Sequence, residues 1–303
     1  MSFYLTAYVL YIGRNFIPRR GRIMTDKARQ LVKNAGGVYA LPEIHSQLSA
    51  KLQDPTASNP QLADIVQLDA GLSSNLLKIA NSAFYGFPSA ISTIAQAITI
   101  IGRTELAELI LSQSVMQVFD KLTIPERTLQ QHWHHSLLTG LIARQLCKSL
   151  SEKEHSAETM FVAGLLHDIG KLVTWHELPE ASAKILAEPD DHQTDGIVNE
   201  QRHLGFDHEE VGAELLKSWK LPAILAETTL YHHQAVSEGE YHQACKIIYL
   251  ANQISHVQHD SEALEKLSLT LIQLPGLEID SLEQTLVIAN EQYHEMSSLF
   301  GLK

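Results

Sequence analysis

Residues 163–171 read Ala-Gly-Leu-Leu-His-Asp-Ile-Gly-Lys, and the rest of the chain is organised around this stretch. It places an ionisable pair, His167 and Asp168, directly after a small apolar segment that predicts a buried helix. Burying such a pair costs free energy unless hydrogen bonds or a metal ion neutralise it. An isolated His-Asp dipeptide is typical of a satisfied core histidine beside a carboxylate, so its interpretation depends on the other residues that accompany it.

Further histidines occur on both sides of this pair. His135 lies upstream in a Trp-His-His-Ser segment, His208 lies downstream in Phe-Asp-His-Glu-Glu, and His232 and His233 follow as adjacent residues. Imidazole and carboxylate groups are the ligands that hold zinc, manganese or iron in proteins. A fold that gathers these side chains around Asp168 would form a pocket for a divalent transition metal.

The composition is that of an acidic globular protein. The chain has 303 residues, of which 45% are hydrophobic and 19% charged, with a formal net charge of −12. An acidic total argues against a broad nucleic-acid interface, because phosphate backbones need a basic face, but it allows a small phosphorylated ligand held by a few local cations. Cys147 and Cys245 lack metal-binding spacing, so we interpret them as reduced, structural cysteines of a cytoplasmic protein.

The first 23 residues differ from the remainder. Phe3 to Ile12 is an apolar run too short to span a bilayer, and four arginines follow it, which is the wrong order for a signal peptide. The segment is therefore either an interfacial anchor or the result of a start assigned too early. We favour the second interpretation, with Met24 as the true start, because helix signals begin at once with Thr25 or Asp26.

Helical patterns fill almost the whole chain, and no stretch alternates apolar and polar residues with period two. The sequence therefore predicts an all-α protein with two lobes, an N-terminal helical bundle at residues 24–122 and a second helical lobe at 123–303. The boundary falls at Lys121 to Arg127, where Pro125 accompanies few apolar anchors. Asn59 is the predicted cap of one early helix. The predicted helices cover approximately residues 25–35, 42–52, 59–66, 72–80, 94–101, 103–119, 128–150, 156–168, 208–220, 222–233, 244–256 and 281–300, and an acidic loop is predicted at 188–196.

Two groups of motifs occur in a characteristic order. The first is Asn-Ser-Ala-Phe-Tyr-Gly at residues 81–86 with an isoleucine-rich segment at 91–102, and the second is the stretch at 167–171 with motifs at 208–212, 219–222 and 232–233. In this the chain resembles the HDOD family, the HD-related output domain of bacterial signalling proteins, over roughly residues 30–260. The resemblance implies an all-α fold whose C-terminal lobe is built like the HD superfamily of metal-dependent phosphohydrolases.

The same resemblance implies a ligand set. The helical His135 and the pair His167 and Asp168 match the HD signature, whereas His208, His232 and His233 match the second-metal histidines of the HD-GYP branch. The position of the closing aspartate holds Asn252, which offers a neutral oxygen. Two divalent ions with Asp168 as their one carboxylate would carry a net charge of about +3, which is unfavourable in a low-dielectric pocket. The segment at 234–241 also lacks the Gly-Tyr-Pro loop of cyclic-di-GMP phosphodiesterases, which argues against hydrolysis of that nucleotide.

Three classes of function follow. The first is a signalling protein whose HD-like lobe binds a ligand, a partner or a metal with little or no turnover; the second is a metal-dependent phosphohydrolase acting on a nucleotide or another phosphate ester; the third is a structural module. We expect one ion of iron, manganese or zinc rather than two. Asp168 and Lys171 are the candidate catalytic residues, although Lys171 is equally consistent with a cation at a helix C-terminus. A separate signalling protein or a small phosphorylated ligand is the expected partner, with no nucleic acid and no membrane span.

Several polar residues are interpreted as structural. His132 and His134 flank His135 on other helix faces, and His203 and His242 are expected to face solvent. Asn81 and the serine after it form a polar pair inside an apolar region, which is typical of a cap and turn at a lobe interface.

Overall fold

The fold is known from a computed structural model that describes residues 24–82, 85–150, 154–188, 196–234, 239–257 and 280–302. Within these ranges the secondary structure is helical and no strand occurs, which confirms the predicted all-α class. The N-terminal extension at 1–23 and most of the predicted acidic loop lie outside the described residues. Among the described helices, none combines the length and the apolar composition needed to cross a membrane.

The first half of the chain is a bundle of short helices. Its elements are α1 (Asp26–Ala35), a 3₁₀ turn (Gly36–Tyr39), α2 (Glu43–Leu52), α3 (Asn59–Val66), α4 (Ala70–Ala80), α5 (Ile94–Ile101) and α6 (Arg103–Phe119). Local capping explains these limits. The Thr25 hydroxyl accepts from the Ala28 amide at α1, and Ser58 forms a reciprocal capping box with Gln61 at α3. The cap of α3 is therefore Ser58, and the prediction of Asn59 as the cap was one residue too late.

The second half contains the histidines. Its elements are α7 (Glu126–Ser149), α8 (Ala157–Leu166), α9 (Ile169–Glu177), α10 (Pro179–Ala187), α11 (Ile197–Leu204), α12 (His208–Ser218), α13 (Ala223–Tyr231), α14 (His242–Val257) and α15 (Asp280–Leu299). The long helix α7 packs against α8, α14 and α15, and α12 packs against α9 and α13. The helices α9, α10 and α11 were not predicted from the sequence.

The sequence pattern predicts a helix at 156–168 that includes the His-Asp pair, but in the structure the pair lies in a turn. His167 and Asp168 form the break between α8 and α9. From this turn both side chains reach the same pocket, where Nε2 of His167 lies 3.5 Å from Oδ2 of Asp168.

Glycines bring the helices around this turn into close contact. A Cβ at Gly170 would lie 2.0 Å from the carbonyl oxygen of His208 and 2.6 Å from the amide nitrogen of Gly212. A Cβ at Gly164 would lie 2.7 Å from the Cα of Gly140. Only glycine allows these approaches, which set α9 against α12 and α8 against α7.

The two halves share one continuous apolar core. The first helix packs on the second half, where the Thr25 amide donates to Glu210 at 2.7 Å, and the Tyr39 hydroxyl donates to Glu177 at 2.8 Å. A helix break does occur between α6 and α7, where the sequence predicts the lobe boundary. The division into lobes at 122 and 123 stays a prediction.

Candidate metal centre

The carboxylate of Asp168 stands between two groups of imidazoles. Its Oδ1 lies 3.3 Å from Nε2 of His208 and 3.2 Å from Nε2 of His232. Its Oδ2 lies 3.5 Å from Nε2 of His167 and 3.7 Å from Nε2 of His135. Each carboxylate oxygen thus faces a different pair of nitrogens, which is the arrangement of a carboxylate shared by two cation positions.

Backbone carbonyls fix the orientation of two of these rings. Nδ1 of His167 lies 2.6 Å from the carbonyl oxygen of Gly164, and Nδ1 of His232 lies 2.7 Å from that of Thr229. Because a carbonyl can only accept, the Nδ1 atoms carry the protons and the Nε2 lone pairs point toward Asp168. Both histidines directly follow a helix end, α8 and α13 respectively, and both use the carbonyl three residues earlier.

Buried glutamates support the histidines of α12 and α13. Oε2 of Glu200 accepts from Nδ1 of His208 at 2.7 Å and from its backbone amide at 2.9 Å. Oε1 of Glu209 accepts from the His233 amide at 3.2 Å and lies 3.9 Å from Nδ1 of His232. The sequence reasoning missed both glutamates. Their charges lie next to the donor set, so they offset part of the positive charge that a single ligand carboxylate would leave.

Lys171 makes an ion pair with the central carboxylate. Its Nζ lies 2.8 Å from Oδ2 of Asp168, on the side that faces His135 and His167. Lys171 stands in the first turn of α9, so the alternative that it is a cation at a helix C-terminus is wrong. Burial alone would raise the pKa of Asp168, but Lys171 and the surrounding imidazoles hold the pKa of this carboxyl well below its ordinary value.

The imidazoles fall into two electrostatic classes. Burial lowers the pKa of His167 and of His232 to about 3, and it holds the pKa of His135 well below its ordinary value. These rings are therefore neutral at physiological pH, which is the form that binds metal ions. Burial also opposes charge on His208, yet Glu200 and Asp168 on its two sides raise its pKa well above the ordinary value. Positive charge is favoured at this point of the pocket.

Asn252 lies one turn from the edge of the centre. Its backbone carbonyl accepts from the Ser255 hydroxyl at 2.7 Å, and this hydroxyl lies 3.3 Å from Nδ1 of His135. The side chain of Asn252 is fully buried, and neither its oxygen nor its nitrogen has a hydrogen-bond partner among the described residues. A buried amide without hydrogen-bond partners is costly.

The donor atoms fit a divalent cation. Ligand atoms of Asp168, His208, His232 and His233 lie within 4.8 Å of one another, and so do those of His135, His167 and Asp168. The structure thus brings together the six His and Asp residues that the sequence nominated, with Lys171 beside them. Imidazoles, one shared carboxylate and buried outer carboxylates form a donor set suited to zinc, manganese or iron.

The residues interpreted as structural lie outside both donor groups. The ring of His132 packs edge-on against Trp133, and His134 pairs with the Tyr293 hydroxyl. His203 and His242 are exposed. The Asn81 side chain donates to the Ile91 carbonyl and accepts from the Ile91 amide, both at 2.8 Å, so it closes a turn as expected.

Comparison with protein families matches residues 38–235 to the HDOD domain. The chain belongs to the HDOD domain family. A structure from Shewanella amazonensis SB2B named as a phosphohydrolase gives a TM-score of 0.74 at 23% identity, covering 91% of this chain and 98% of that one. A structure from Marinobacter aquaeolei VT8 named as a signal transduction protein gives 0.69 at 18% identity, covering 91% and 65%. At these identities the likeness shows a shared fold.

One curated relative also matches this HDOD protein. It is an uncharacterised protein of Treponema pallidum strain Nichols that is 29% identical over 250 residues. The match covers 80% of this chain but 47% of the relative, so the chain spans about half the length of that protein.

Proposed function

We propose that this HDOD protein is a regulatory component of a signalling system, whose His/Asp centre binds a divalent transition metal and a phosphorylated ligand with little or no turnover. The observation that carries the proposal is the combination of a converging donor set around Asp168 with a neutral amide at Asn252. The first feature supports binding, and the second argues against efficient hydrolysis.

The residues of the chain have separate tasks in this scheme. A bound dication would act as a Lewis acid and would attract a phosphoryl oxygen. The imidazoles of His167 and His232 are held ready by backbone carbonyls, so little reorganisation accompanies binding. Lys171 is the nearest cation for an anionic ligand, but its contact with Asp168 at 2.8 Å competes with that use.

Weak turnover follows from the charges of the centre. Glu200 and Glu209 act on the Nδ1 or backbone side of their histidines, away from the Nε2 atoms that face Asp168. They offset charge without adding a carboxylate to the pocket itself. Losing even an outer partner commonly reduces metal affinity or activity about 10–100-fold, and we expect Asn252 in place of a ligand carboxylate to cost at least as much.

A phosphohydrolase is the second candidate function. It is favoured by the complete set of histidines in the pocket and by the name of the Shewanella structure with the same fold. The regulatory alternative is favoured by Asn252 and by the name of the Marinobacter structure. In the regulatory case the partner is a separate signalling protein that responds to the state of the centre.

Elemental analysis and a substrate screen separate the two candidates. The full chain is loaded with manganese, iron or zinc, and its metal content is measured after dialysis. Binding and turnover are then measured side by side for cyclic dinucleotides, inorganic phosphate and simple phosphate esters. We expect retained metal, binding of at least one phosphorylated compound and turnover close to the rate without protein.

Two outcomes would contradict the proposal. Brisk metal-dependent hydrolysis by the unmodified chain would establish the phosphohydrolase instead. Failure to retain any metal under all loading conditions would remove the metal from the proposed function. His203→Ala is the matched control, because His203 is exposed and pairs with Glu188 on the surface.

A further inference from the structure

The two halves of the centre differ in geometry. In the half on α12 and α13, Oδ1 of Asp168 and the Nε2 atoms of His208 and His232 form a triangle with edges of 3.2, 3.3 and 3.3 Å. In the half on α7 and α8, Oδ2 and the Nε2 atoms of His135 and His167 form a triangle with edges of 3.2, 3.5 and 3.7 Å.

The first triangle matches the spacing of ligands around one small cation. Atoms about 2.0–2.1 Å from a tetrahedral metal ion lie about 3.3–3.4 Å from one another. The edges of the α12–α13 triangle agree with that spacing within about 0.2 Å, and His233 offers a fourth ligand atom close by. The second triangle is wider on the two edges that reach Asp168. Among the described His, Cys, Asp and Glu residues, its group of ligand atoms consists of Asp168, His135 and His167 and has no fourth member.

Outer charges reinforce the difference. Glu200 accepts from Nδ1 of His208 at 2.7 Å and increases the basicity of that ring, and the carboxylate of Glu209 lies 3.9 Å from Nδ1 of His232, where its charge attracts a cation. His135 instead contacts the neutral hydroxyl of Ser255 at 3.3 Å and stacks on the ring of His256, with the ring centroids 4.5 Å apart.

A cation already stands on the other half. Nζ of Lys171 lies 2.8 Å from Oδ2, the oxygen that this half would use as its ligand. A dication there would displace the ammonium or be repelled by it, since both charges would share one carboxylate oxygen. On the α12–α13 half, Oδ1 faces the imidazoles of His208 and His232, at 3.3 and 3.2 Å, in place of an ammonium group.

We propose that the chain holds a single metal ion at the α12–α13 half, with Asp168, His208, His232 and His233 as ligands, and that the half formed by His135 and His167 is the weak one. This inference rests on the proposed function only in assuming that the centre binds metal. The ion is thereby assigned to the half that does not contain His167.

A matched pair of outer-contact variants tests the assignment. Glu200→Gln keeps the shape and an acceptor for His208 but removes the charge, whereas Ser255→Ala removes the hydroxyl that lies beside Nδ1 of His135. The dissociation constant for zinc is measured by titration against a competing chelator. We expect Glu200→Gln to weaken binding about 10–100-fold and Ser255→Ala to change it by less than about 3-fold. A larger loss in Ser255→Ala than in Glu200→Gln would overturn the assignment.

Stoichiometry and position provide readouts that do not depend on activity. The unmodified chain should bind one zinc ion, with its anomalous scattering peak between His208 and His232. Asn252→Asp should raise the content toward two, because it restores the carboxylate that the family resemblance implies at this position. A peak between His135 and His167, or two ions in the unmodified chain, would contradict the inference. No ion at all would also remove the metal from the proposed function, whereas one ion with brisk turnover would overturn the regulatory role alone.

Discussion

Two buried clusters of charged side chains in this HDOD protein balance their charges in different ways. Between α6, α7 and α8, the guanidinium of Arg144 donates to Oε1 of Glu158 at 3.1 and 3.3 Å, and the Thr159 hydroxyl donates to Glu108 at 2.6 Å. That cluster pairs a cation with an anion, and its groups already contact one another. The centre around Asp168 instead converges imidazole nitrogens on a single carboxylate. Burial of charged groups therefore does not by itself identify a metal site, whereas the convergence of several possible ligand atoms on one point does.

The largest expected effect comes from Asp168→Ala. Asp168 is the one residue shared by both donor groups, so its removal eliminates the negative ligand of each half. We expect metal affinity to fall by at least about 100-fold, which is roughly 2.7 kcal/mol, and the metal-dependent rise in melting temperature to disappear. Metal content and thermal unfolding with and without zinc provide the measurement. Unchanged metal content would show that the carboxylate is not a ligand.

The sequence predicted those elements whose limits are set by local signals. The capping hydroxyl of Thr25 and the glycine before α6 lie within a few residues of the helix ends they define, so α1 and α6 were predicted closely. The helices α9 to α11 were not predicted. Pro179, the polar residues 188–196 and the close spacing of the apolar residues obscure the helical periodicity of this region. In the structure α9 packs against α12, and α10 packs against both α9 and α11.

The donor set was predictable by residue type and by resemblance, whereas its surroundings were not. His-Asp pairs and adjacent histidines are visible in a sequence, but Glu200 meets His208 only because α11 ends before a turn into α12. A signal was present in the acidic residues that surround His208, namely Asp207, Glu209 and Glu210. Their contacts depend on how α9, α12 and α13 pack, which no local pattern specifies. Arg144 was likewise not identified, since a buried arginine looks like any other in a helix.

A smaller effect, confined to stability, is expected from Arg144→Met. Removing the guanidinium leaves the carboxylate of Glu158 without its cation in a largely buried position. We expect a loss of about 2–3 kcal/mol in the free energy of unfolding, just below the range for broken buried pairs, because Glu158 retains some exposure. Zinc affinity should stay within about 3-fold of the unmodified chain. Urea unfolding and chelator titration measure the two quantities.

The double variant Arg144→Met with Glu158→Gln is the control for that prediction. Replacing both charged partners removes the uncompensated carboxylate, so much of the lost stability should return. A double variant that is as unstable as the sum of the single variants would show that the pair is not coupled. A marked loss of zinc affinity in either protein would show that the two clusters communicate.

The smallest expected effect is a dependence of stability on pH through Glu108. Burial, partly opposed by the Thr159 hydroxyl, raises the pKa of this carboxyl from 4.5 to about 7. A raised folded-state pKa means that the folded protein holds the proton more tightly than the unfolded chain. The resulting stabilisation is fully present below the unfolded pKa of 4.5 and is lost as pH rises through about 7.

Glu108→Gln keeps a neutral acceptor for Thr159 at every pH. The free energy of unfolding of the variant is compared with that of the unmodified chain at each pH. We expect this difference to shift in favour of the variant by about 1–2 kcal/mol from pH 5 to pH 8, a value reduced because Glu108 is partly exposed. Urea unfolding of both proteins at the two pH values, with a chelator present so that the metal centre contributes equally, measures this double difference. A difference that does not change with pH would show that Glu108 titrates in the folded protein as it does in the unfolded chain.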